Sequence, residues 1–362
     1  MKFGTIMLTG QPCLVMQHND GGMFVVDRLL EMSDAGSAPT MLDLVHRLGN
    51  DPTLAATLSA TATGLQGKHA LAVDEQTDWL PPIGNPSKIL GVAFNNRELM
   101  KKAHHDPGVP NFFLKPPSCL TGHGKPIIVD PAWGAVIPEP EICAVIGRRA
   151  KHISEADALD HVFGFMIHND VTSHGLKFGK DSIAVTYDRD MARPEFYGWR
   201  NLHGPDDTDA YYVYHTRSKG TDSFGPCGPW ITLRDAVGDP NDLHVTGTID
   251  DEVFTRDHTG NYRFSVEACI AEASRYFTLE PGDMISFGTT GKGVGRFPRG
   301  HKSLLLGETT GIVGIEIAPL GRLAKDAGCH QKAAQYCRVR HRIVMLCGPV
   351  AVDCTHHQAP PA

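Results

Sequence analysis

Three carboxylates beside two short apolar runs are the residues of this sequence best suited to chemistry. Glu139 and Glu141 stand two positions apart, immediately before a Val- and Ile-rich run that ends at Gly147. Side chains on a strand alternate between its faces, so these two carboxylates are expected to point the same way. Asp170 follows a second apolar run, 162–167, and supplies a third carboxylate.

Carboxylates grouped at a buried strand repel one another and lose hydration, and a bound cation relieves both effects. Oxygen ligands without a Cys or His in the pattern favour a hard ion, so we expect Mg²⁺, with Mn²⁺ or Ca²⁺ as alternatives. A Glu-x-Glu pair is also compatible with a second interpretation, in which Glu139 and Glu141 face solvent at the start of a strand. The motifs in the rest of the sequence have to decide between a metal site and two solvent-exposed carboxylates.

The composition of the 362-residue chain narrows the class of protein. Apolar residues make up 41%, and 38 Gly with 25 Pro indicate many turns and a β-rich body. The formal net charge is −7, and no basic patch with interleaved aromatic residues is evident, so we expect no nucleic-acid partner. No apolar run reaches the roughly 18 residues of a membrane span, so we also expect no membrane partner.

Cysteine usage and the N-terminus indicate a cytoplasmic protein. The chain has nine cysteines, an odd number, and those before residue 300 lack Cys-x-x-Cys spacing. This pattern is typical of reduced thiols rather than a disulfide framework. The apolar patch within 1–8 is too short for a secretory signal and predicts a first strand.

The chain divides into three predicted parts. Residues 1–80 are expected to form a small N-terminal α/β domain, and the Pro-rich segment Leu80–Pro86 marks its boundary. A catalytic body follows over 85–325. Residues 326–362 contain four Cys and four His in spacings that match no zinc pattern, and we expect a divergent, poorly ordered tail.

Local patterns predict the elements of the N-terminal part. Phe3–Leu8 and Phe24–Val26 have the composition of strands. Leu42, Val45 and Leu48 recur at helical spacing, with Thr40 as a candidate N-cap. A second, Ala-rich helix should follow Pro52 and end at Gly64.

Short motifs then follow one another in a fixed order. They are K-I-x-G-V-x-F at 88–94, F-x-K-P-x-S at 113–118, E-x-E at 139–141, N-D-V-T at 169–172, K-x-x-D-x-F-x-P-x-G-P at 219–229 and L-x-P-G-D-x-I-x-x-G-T at 279–289. Together they resemble the fumarylacetoacetate hydrolase superfamily. The resemblance implies an α+β, β-rich fold, a mixed β-sheet roll of that family's C-terminal type, and a homodimer.

The resemblance also implies a reaction. A metal ion held by Glu139, Glu141 and Asp170 would chelate a small-molecule 2-oxo acid and stabilise the enolate formed when a bond breaks. The expected enzyme is a hydrolase that cleaves a C–C bond in an acylpyruvate-like or aromatic ring-fission 2-oxo acid. A decarboxylase, hydratase or isomerase on the same metal site is the alternative, and a non-catalytic ligand-binding homologue is a third option.

Three further residues are assigned roles through these motifs. Lys219 matches the family's pocket lysine and is expected to stabilise an oxyanion as a catalytic residue. Lys115 is expected to add positive charge to the substrate site. Thr289 lies in a Gly-Thr turn and would offer its hydroxyl and backbone N–H to a substrate carboxylate.

Two regions depart from the family pattern. Family hydrolases place a water-activating His after the first motif strand, where this chain has Arg97, a candidate substrate residue, with His104 and His105 further on as candidate bases. After the third carboxylate, where relatives often carry Arg and Gln, stand His174 and Lys177. We expect His174 to serve as an acid–base group and Lys177 to bind substrate. The Arg97 departure favours the lyase and isomerase alternatives.

The polar segment 175–215 is longer than its counterpart in relatives. Segments of this length are commonly lids or interfaces when they are not plain surface loops. The sequence leaves a lid, an interface and a plain surface all open.

Overall fold

The computed structural model describes residues 1–19, 21–51, 53–65, 67–72, 77–103, 105–186, 209–289 and 292–323, and the backbone of Ile343–Met345. Strands dominate this part of the chain, and the helices are short. The predicted β-rich α+β fold is confirmed. Among the helices in these ranges, none has the length and apolarity required to cross a bilayer.

Strands and helices are numbered here in chain order. The strands are β1 Lys2–Leu8, β2 Gln11–Gln17, β3 Met23–Val25, β4 Trp79–Leu80, β5 Ile89–Ala93, β6 Asn111–Lys115, β7 Leu120–Thr121, β8 Ile127–Val129, β9 Val136–Ile137, β10 Pro140–Ile146, β11 Val162–Asn169, β12 Thr172–Ser173, β13 Ser182–Thr186, β14 Asp209–Val213, β15 Gly225–Pro226, β16 Ile231–Leu233, β17 His244–Ile249, β18 Glu252–His258, β19 Met284–Ser286, β20 Val313–Ile317, β21 Gly321–Leu323 and β22 Ile343–Met345. The helices are α1 Val26–Met32, α2 Met41–Asn50, α3 Leu54–Gly64, α4 Arg97–Met100, α5 His174–Gly179, α6 Thr216–Gly220 and α7 Val266–Tyr276.

A mixed ten-stranded sheet forms the centre of the molecule. Its order is β3-β2-β1-β16-β11-β10-β19-β5-β6, with β4 added to β1. Most neighbours are antiparallel, whereas β19 and β5 run parallel. The middle strand, β10, is buried on both faces, which explains the continuous apolar run after Glu141.

The N-terminal strands belong to this same sheet. Phe3 of β1 lies opposite Ile231 of β16. Helices α1 to α3 cover one face, where Leu29 and Leu44 share a buried cluster with Met166 of β11. Residues 1–80 therefore pack directly on β10 and β11, the two strands beside the carboxylates, and the division at Leu80–Pro86 stays a prediction.

The opposite face carries helix α7 and a second sheet of order β18-β17-β20-β21. Ile142 and Ile146 of β10 contribute to a buried cluster with Ile270 of α7 and Ile315 of β20. Ser265 caps the N-terminus of helix α7, because its hydroxyl accepts a hydrogen bond from the Ala268 N–H. The elements packed on the two faces of the sheet hold β10 in place. The N-terminal end of β10 lies at the bottom of a pocket.

The long polar segment after Asp170 contains helix α5 and the antiparallel pair β13–β14. Residues 187–208, which connect that pair, lie outside the described residues. The predicted tail, 326–362, also lies outside them, apart from the backbone of β22, which pairs in parallel with β8.

Candidate metal centre and substrate pocket

The three predicted carboxylates lie together. Glu139 precedes β10, Glu141 lies within it and Asp170 follows β11, and one oxygen of each lies within 4.8 Å of the others. Glu141 is 3% exposed and Asp170 is 1% exposed. Across the described ranges, no other trio of His, Cys, Asp or Glu side chains is grouped as closely.

Local pairing brings these residues to one end of the sheet. The Asp170 N–H donates to the Glu139 carbonyl at 3.0 Å, and the Glu139 N–H donates to Asn169 Oδ1 at 2.9 Å. The Thr172 hydroxyl donates to Glu139 Oε2 at 2.7 Å. The start of β10 and the end of β11 are therefore locked in register, which accounts for the N-D-V-T motif.

Two buried lysines face the carboxylates. Nζ of Lys115 donates to Asp170 Oδ1 and to the Phe224 carbonyl at 2.9 Å. Nζ of Lys219 donates to Glu139 Oε2 and Asp170 Oδ2, and lies 4.7 Å from the centre of the Phe113 ring. Lys219 is thus held by two of the three carboxylates.

These contacts change the pKa values of the carboxylates and lysines that form the floor of the site. Burial alone would raise the pKa of Asp170, but Lys115 and Lys219 hold that pKa well below its usual range. Burial also opposes ionisation of Glu139, yet Lys219 lowers its pKa. Burial would lower the pKa of Lys219, whereas Asp170 and Glu139 raise it. Lys219, Glu139 and Asp170 are therefore charged at neutral pH.

Glu141 differs from the other two carboxylates. Burial, followed by the negative charge of Asp170, raises the pKa of Glu141 to about 8. Its Oε2 accepts hydrogen bonds from the Ser286 hydroxyl at 2.5 Å and from the Gly288 N–H at 3.0 Å. With all three carboxylates ionised, two ammonium groups leave an excess of one negative charge. An all-oxygen donor set with excess negative charge fits a hard divalent ion.

A pocket opens above this floor. It contains about 640 Å³ of empty space, which includes open solvent at its mouth. It is lined by Val92, Ala93, Phe94, Asn95, Leu99, Phe113, Glu139, Glu141, Asp170, His174, Lys177, His215, Lys219, Gly288, Thr289, His301 and Lys302.

The mouth of the pocket is basic. Burial, followed by the positive charges of Lys219 and Lys302, lowers the pKa of Lys177 against the opposing effect of Glu139. Neither Lys177 nor Lys302 forms a salt bridge with any residue that the structure describes. Two cations that lack an acidic partner among the described residues therefore face the pocket.

Two histidines at the mouth are neutral at physiological pH. Burial lowers the pKa of His174. Burial, with Lys177 and Lys219 as further causes, lowers the pKa of His215 to about 4. Each ring can therefore accept a proton at neutral pH.

The predicted site residues separate into two groups. The pocket is lined by the three carboxylates, Lys219, His174, Lys177 and Thr289. Lys115 does not line it but forms a buried ion pair with Asp170. Arg97 and His105 do not line it: Arg97 is exposed and donates to the Gly260 carbonyl at 3.1 Å, and His105 is exposed. His104 lies outside the described residues. Helix α4 ends at Met100 and presents Leu99 to the pocket instead.

Several pocket residues are absent from the sequence-based assignments. Asn95 lies two residues after the first motif strand, β5, and its amide donates to the Phe287 carbonyl at 2.9 Å. His301 is fully buried, with Nε2 4.0 Å from Glu139 Oε1. His215, His301 and Lys302 belong to no motif quoted above, because their place in the pocket depends on long-range packing.

His168 lies one layer below the pocket. It is fully buried on β11, and its Nδ1 lies 2.8 Å from the Ser286 hydroxyl. Burial, followed by the charge of Lys115, lowers the pKa of His168 to about 3. The ring is neutral and joins the hydrogen-bonded surroundings of Glu141.

Comparisons with known proteins identify the family of the chain. Residues 88–326 match the family model for the fumarylacetoacetate hydrolase C-terminal domain. The oxaloacetate tautomerase fahd2 of Xenopus laevis is 30% identical over 246 residues, which cover 68% of this chain and 66% of that protein. The 4-hydroxyphenylacetate degradation bifunctional isomerase/decarboxylase of Salmonella dublin is 28% identical over 227 residues, covering 63% of this chain and 43% of that protein.

Solved structures share the fold. A maleylpyruvate hydrolase from Sphingobium, in complex with manganese(II) and pyruvate, superposes with a TM-score of 0.62 at 22% identity over 95% of this chain and 99% of that chain. A fumarylacetoacetate hydrolase from Exiguobacterium antarcticum gives a TM-score of 0.63 at 22% identity over 89% of this chain and 97% of that chain. Because the family model matches well over half of the length of this chain, the chain belongs to the fumarylacetoacetate hydrolase family.

Proposed function

We propose that this protein is a divalent-metal-dependent enzyme that binds a 2-oxo acid and stabilises its enolate. The observation that carries the proposal is the close trio of buried Glu141, buried Asp170 and partly buried Glu139, with Lys219 beside it. These carboxylates would hold Mg²⁺, with Mn²⁺ or Ca²⁺ as substitutes. The ion would act as a Lewis acid toward the 2-oxo oxygen.

The chain's own residues supply the remaining chemistry. The ammonium of Lys219 stabilises negative charge that develops on the substrate oxygen. Thr289 is 7% exposed, and its hydroxyl has no hydrogen-bond partner among the described residues, so it is available to a substrate carboxylate. The neutral ring of His174 can remove a proton from the carbon next to the 2-oxo group.

Proton transfer or decarboxylation at that carbon is the reaction we favour, ahead of C–C hydrolysis. Hydrolysis needs an activated water, but α4 presents the apolar Leu99 to the pocket. Glu98 of the same helix does not line the pocket and instead pairs with the exposed Lys101 at 2.8 Å, so it is not placed to activate a water there. The frog relative, named as an oxaloacetate tautomerase, supports this order. C–C hydrolysis is the second candidate, with His174 as the base.

The mouth of the pocket favours a substrate with two carboxylates. Lys177 and Lys302 face the pocket without acidic partners in the described structure. A second substrate carboxylate would pair with them, and oxaloacetate is the smallest 2-oxo diacid that can form an enolate. Acylpyruvates and ring-fission 2-oxo acids with a distal carboxylate satisfy the same chemistry.

A metal-dependent substrate screen tests the proposal. Enol-to-keto conversion and CO₂ release from oxaloacetate, and cleavage of acylpyruvates, would be followed with Mg²⁺ and corrected for the enzyme-free rate. We expect EDTA and Glu141→Ala each to reduce the rate by about 10³-fold. Glu98→Ala, at an exposed carboxylate, is the matched control and should behave as wild type.

Each alternative has its own result in this screen. Activity that survives both EDTA and Glu141→Ala would remove the metal from the mechanism. Cleavage of acylpyruvates without turnover of oxaloacetate would establish the hydrolase. Tight binding of oxalate without turnover of any 2-oxo acid would establish a non-catalytic homologue.

We also propose a cytoplasmic homodimer. Tyr211 and Ile183 of the β13–β14 pair are 63% and 53% exposed, and Phe178 of α5 is 66% exposed, an apolar surface suited to a second copy. The cysteines in the described ranges are free thiols, as expected in a reducing compartment. Light scattering after gel filtration gives the mass in solution, and a 39.3 kDa species would exclude the dimer.

A further inference from the structure

A buried hydrogen-bonded chain connects Glu141 to two side chains that do not line the pocket. His168 on β11 lies directly opposite Glu141 on β10, and Ser286 lies on β19, at the other side of β10. The His168 Nδ1 and Ser286 Oγ atoms are 2.8 Å apart. The Ser286 Oγ and Glu141 Oε2 atoms are 2.5 Å apart.

The direction of these hydrogen bonds follows from proton counting. A serine hydroxyl has one proton, and Glu141, which is ionised when it ligates a metal ion, accepts that proton at Oε2. The Ser286 oxygen is then an acceptor toward His168, so Nδ1 of that ring carries the proton. The ring thereby orients the hydroxyl, and the hydroxyl orients the carboxylate.

These hydrogen bonds determine which oxygen of Glu141 faces the other carboxylates. Oε2 accepts from Ser286 and from the Gly288 N–H. Oε1 makes no hydrogen bond within the described residues, so it is the oxygen available to an ion. Partners of this kind fix the orientation and basicity of a metal ligand.

We propose that His168, acting through Ser286, is a positioning residue that aligns Glu141 Oε1 for the metal ion. The inference rests on the proposed function, because it concerns the same ion. It assigns a role to two residues outside the predicted ligand set.

Packing alone does not account for His168. Its ring is fully buried, and its Nε2 has no hydrogen-bond partner in the described structure. The preceding positions of β11, 162–167, hold only apolar residues and Gly. An apolar side chain of similar volume would bury no unpaired nitrogen, so stability by itself favours such a residue at this position.

The test measures Mn²⁺ affinity directly, from the electron paramagnetic resonance signal of free Mn²⁺, without substrate. Ser286→Ala and His168→Leu should each raise the dissociation constant about tenfold or more. His168→Asn should remain within about threefold of wild type, because the Asn amide offers an N–H near the position of Nδ1. Thermal denaturation, followed by circular dichroism, reports folding of each variant.

Ser274→Ala is the matched control for Ser286→Ala. Ser274 is also fully buried, and its hydroxyl donates to the Ala271 carbonyl at 2.7 Å, but it lies on α7, away from the carboxylates. This variant should lose stability without losing Mn²⁺ affinity. His168→Leu should show the opposite pattern, an unchanged or higher melting temperature with weaker Mn²⁺ binding.

The outcomes separate this inference from the proposed function. Tight Mn²⁺ binding by wild type, Ser286→Ala and His168→Leu alike would overturn the positioning role and leave the metal site intact. Failure of wild type itself to bind Mn²⁺ would overturn both. Should Ser286→Ala not fold, His168→Leu, which fills a similar volume, decides the matter alone.

Discussion

The floor and the mouth of the pocket use lysine and carboxylate chemistry in opposite ways. The floor, defined as Glu139, Glu141, Asp170, Lys115 and Lys219, is buried except at Glu139, which is partly buried. Hydrogen bonds join its two lysines to Glu139 and Asp170, and Glu141 is held by Ser286 and the Gly288 N–H. The mouth, defined as His174, Lys177, His215 and Lys302, is only partly buried. Its two lysines make no salt bridge within the described ranges.

The supporting elements explain this difference. The carboxylates and Lys115 lie on or beside sheet strands, which hold side chains in a fixed register. The mouth residues lie on the short helix α5, on a turn at 300–303 and at His215, whose φ of 57° places it in the left-handed region. The floor is therefore built for bond chemistry that needs fixed charges, and the mouth for recognition of a varied substrate end.

Removal of a floor lysine should have the largest effect on turnover. Lys219→Met takes away the ammonium that contacts two carboxylates, and we expect kcat to fall by about 10²- to 10³-fold. Lys177→Met is the matched control at the mouth and should change kcat by less than about threefold. Equal losses of kcat in the two variants would erase the distinction between floor and mouth.

The other floor lysine should dominate stability. Lys115→Met leaves Asp170 with one cation instead of two, and we expect the free energy of unfolding to fall by about 3 kcal/mol. Lys101→Met, at an exposed pair with Glu98, should change it by at most about 1 kcal/mol. Urea denaturation of both variants compares them, and a Lys115→Met variant as stable as wild type would contradict the prediction.

Mouth lysines should act on binding instead. Lys177→Met and Lys302→Met should each raise KM for a 2-oxo diacid by about tenfold with little change in kcat, because each removes one cation that forms no salt bridge within the described part of the chain. The KM for pyruvate-like acids with a single carboxylate should stay near its wild-type value. A parallel increase in KM for both substrate types would show that these lysines do not recognise a second carboxylate.

The smallest effect concerns pH. The pKa of His215 is lowered to about 4 by burial, then by Lys177 and Lys219, against Asp170 and Glu139. Because the unfolded chain binds this proton near pH 6.5, the stability that His215 contributes is complete above that pH and is lost as pH falls toward 4. His215→Asn, which tolerates positive φ, should show a shallower decline in the urea midpoint from pH 7 to 4.5. An unchanged decline would exclude this coupling.

Local patterns predicted much of the fold. Helix α2 begins after Thr40, whose side chain and that of Asp43 form a capping box, and helix α3 ends at Gly64. Strand β10 covers the predicted apolar run. The sequence pattern does not predict β2 or α1: Gln11–Gln17 lacks strict alternation, and α1 follows β3 with no Ser, Thr, Asp or Asn at its N-cap.

The site was predictable only where its residues belong to ordered motifs. Motif order anticipated the carboxylates, Lys115 and Lys219. The central sheet brings the carboxylates and Lys115 together, and helix α6 adds Lys219. His168 carried a local sign, a polar ring after an otherwise apolar run, whereas His301 and Lys302 carried none. The roles of all these residues stay predictions until the variants are measured.

The pairing of Phe3 with Ile231 has a practical consequence for expression. A truncated chain limited to the family-matched region, 88–326, would leave β16 with open backbone donors and acceptors along one side. Open strand edges of this kind recruit other chains and promote aggregation. Insolubility of that fragment would then reflect a missing neighbour strand and say nothing about the competence of its carboxylates.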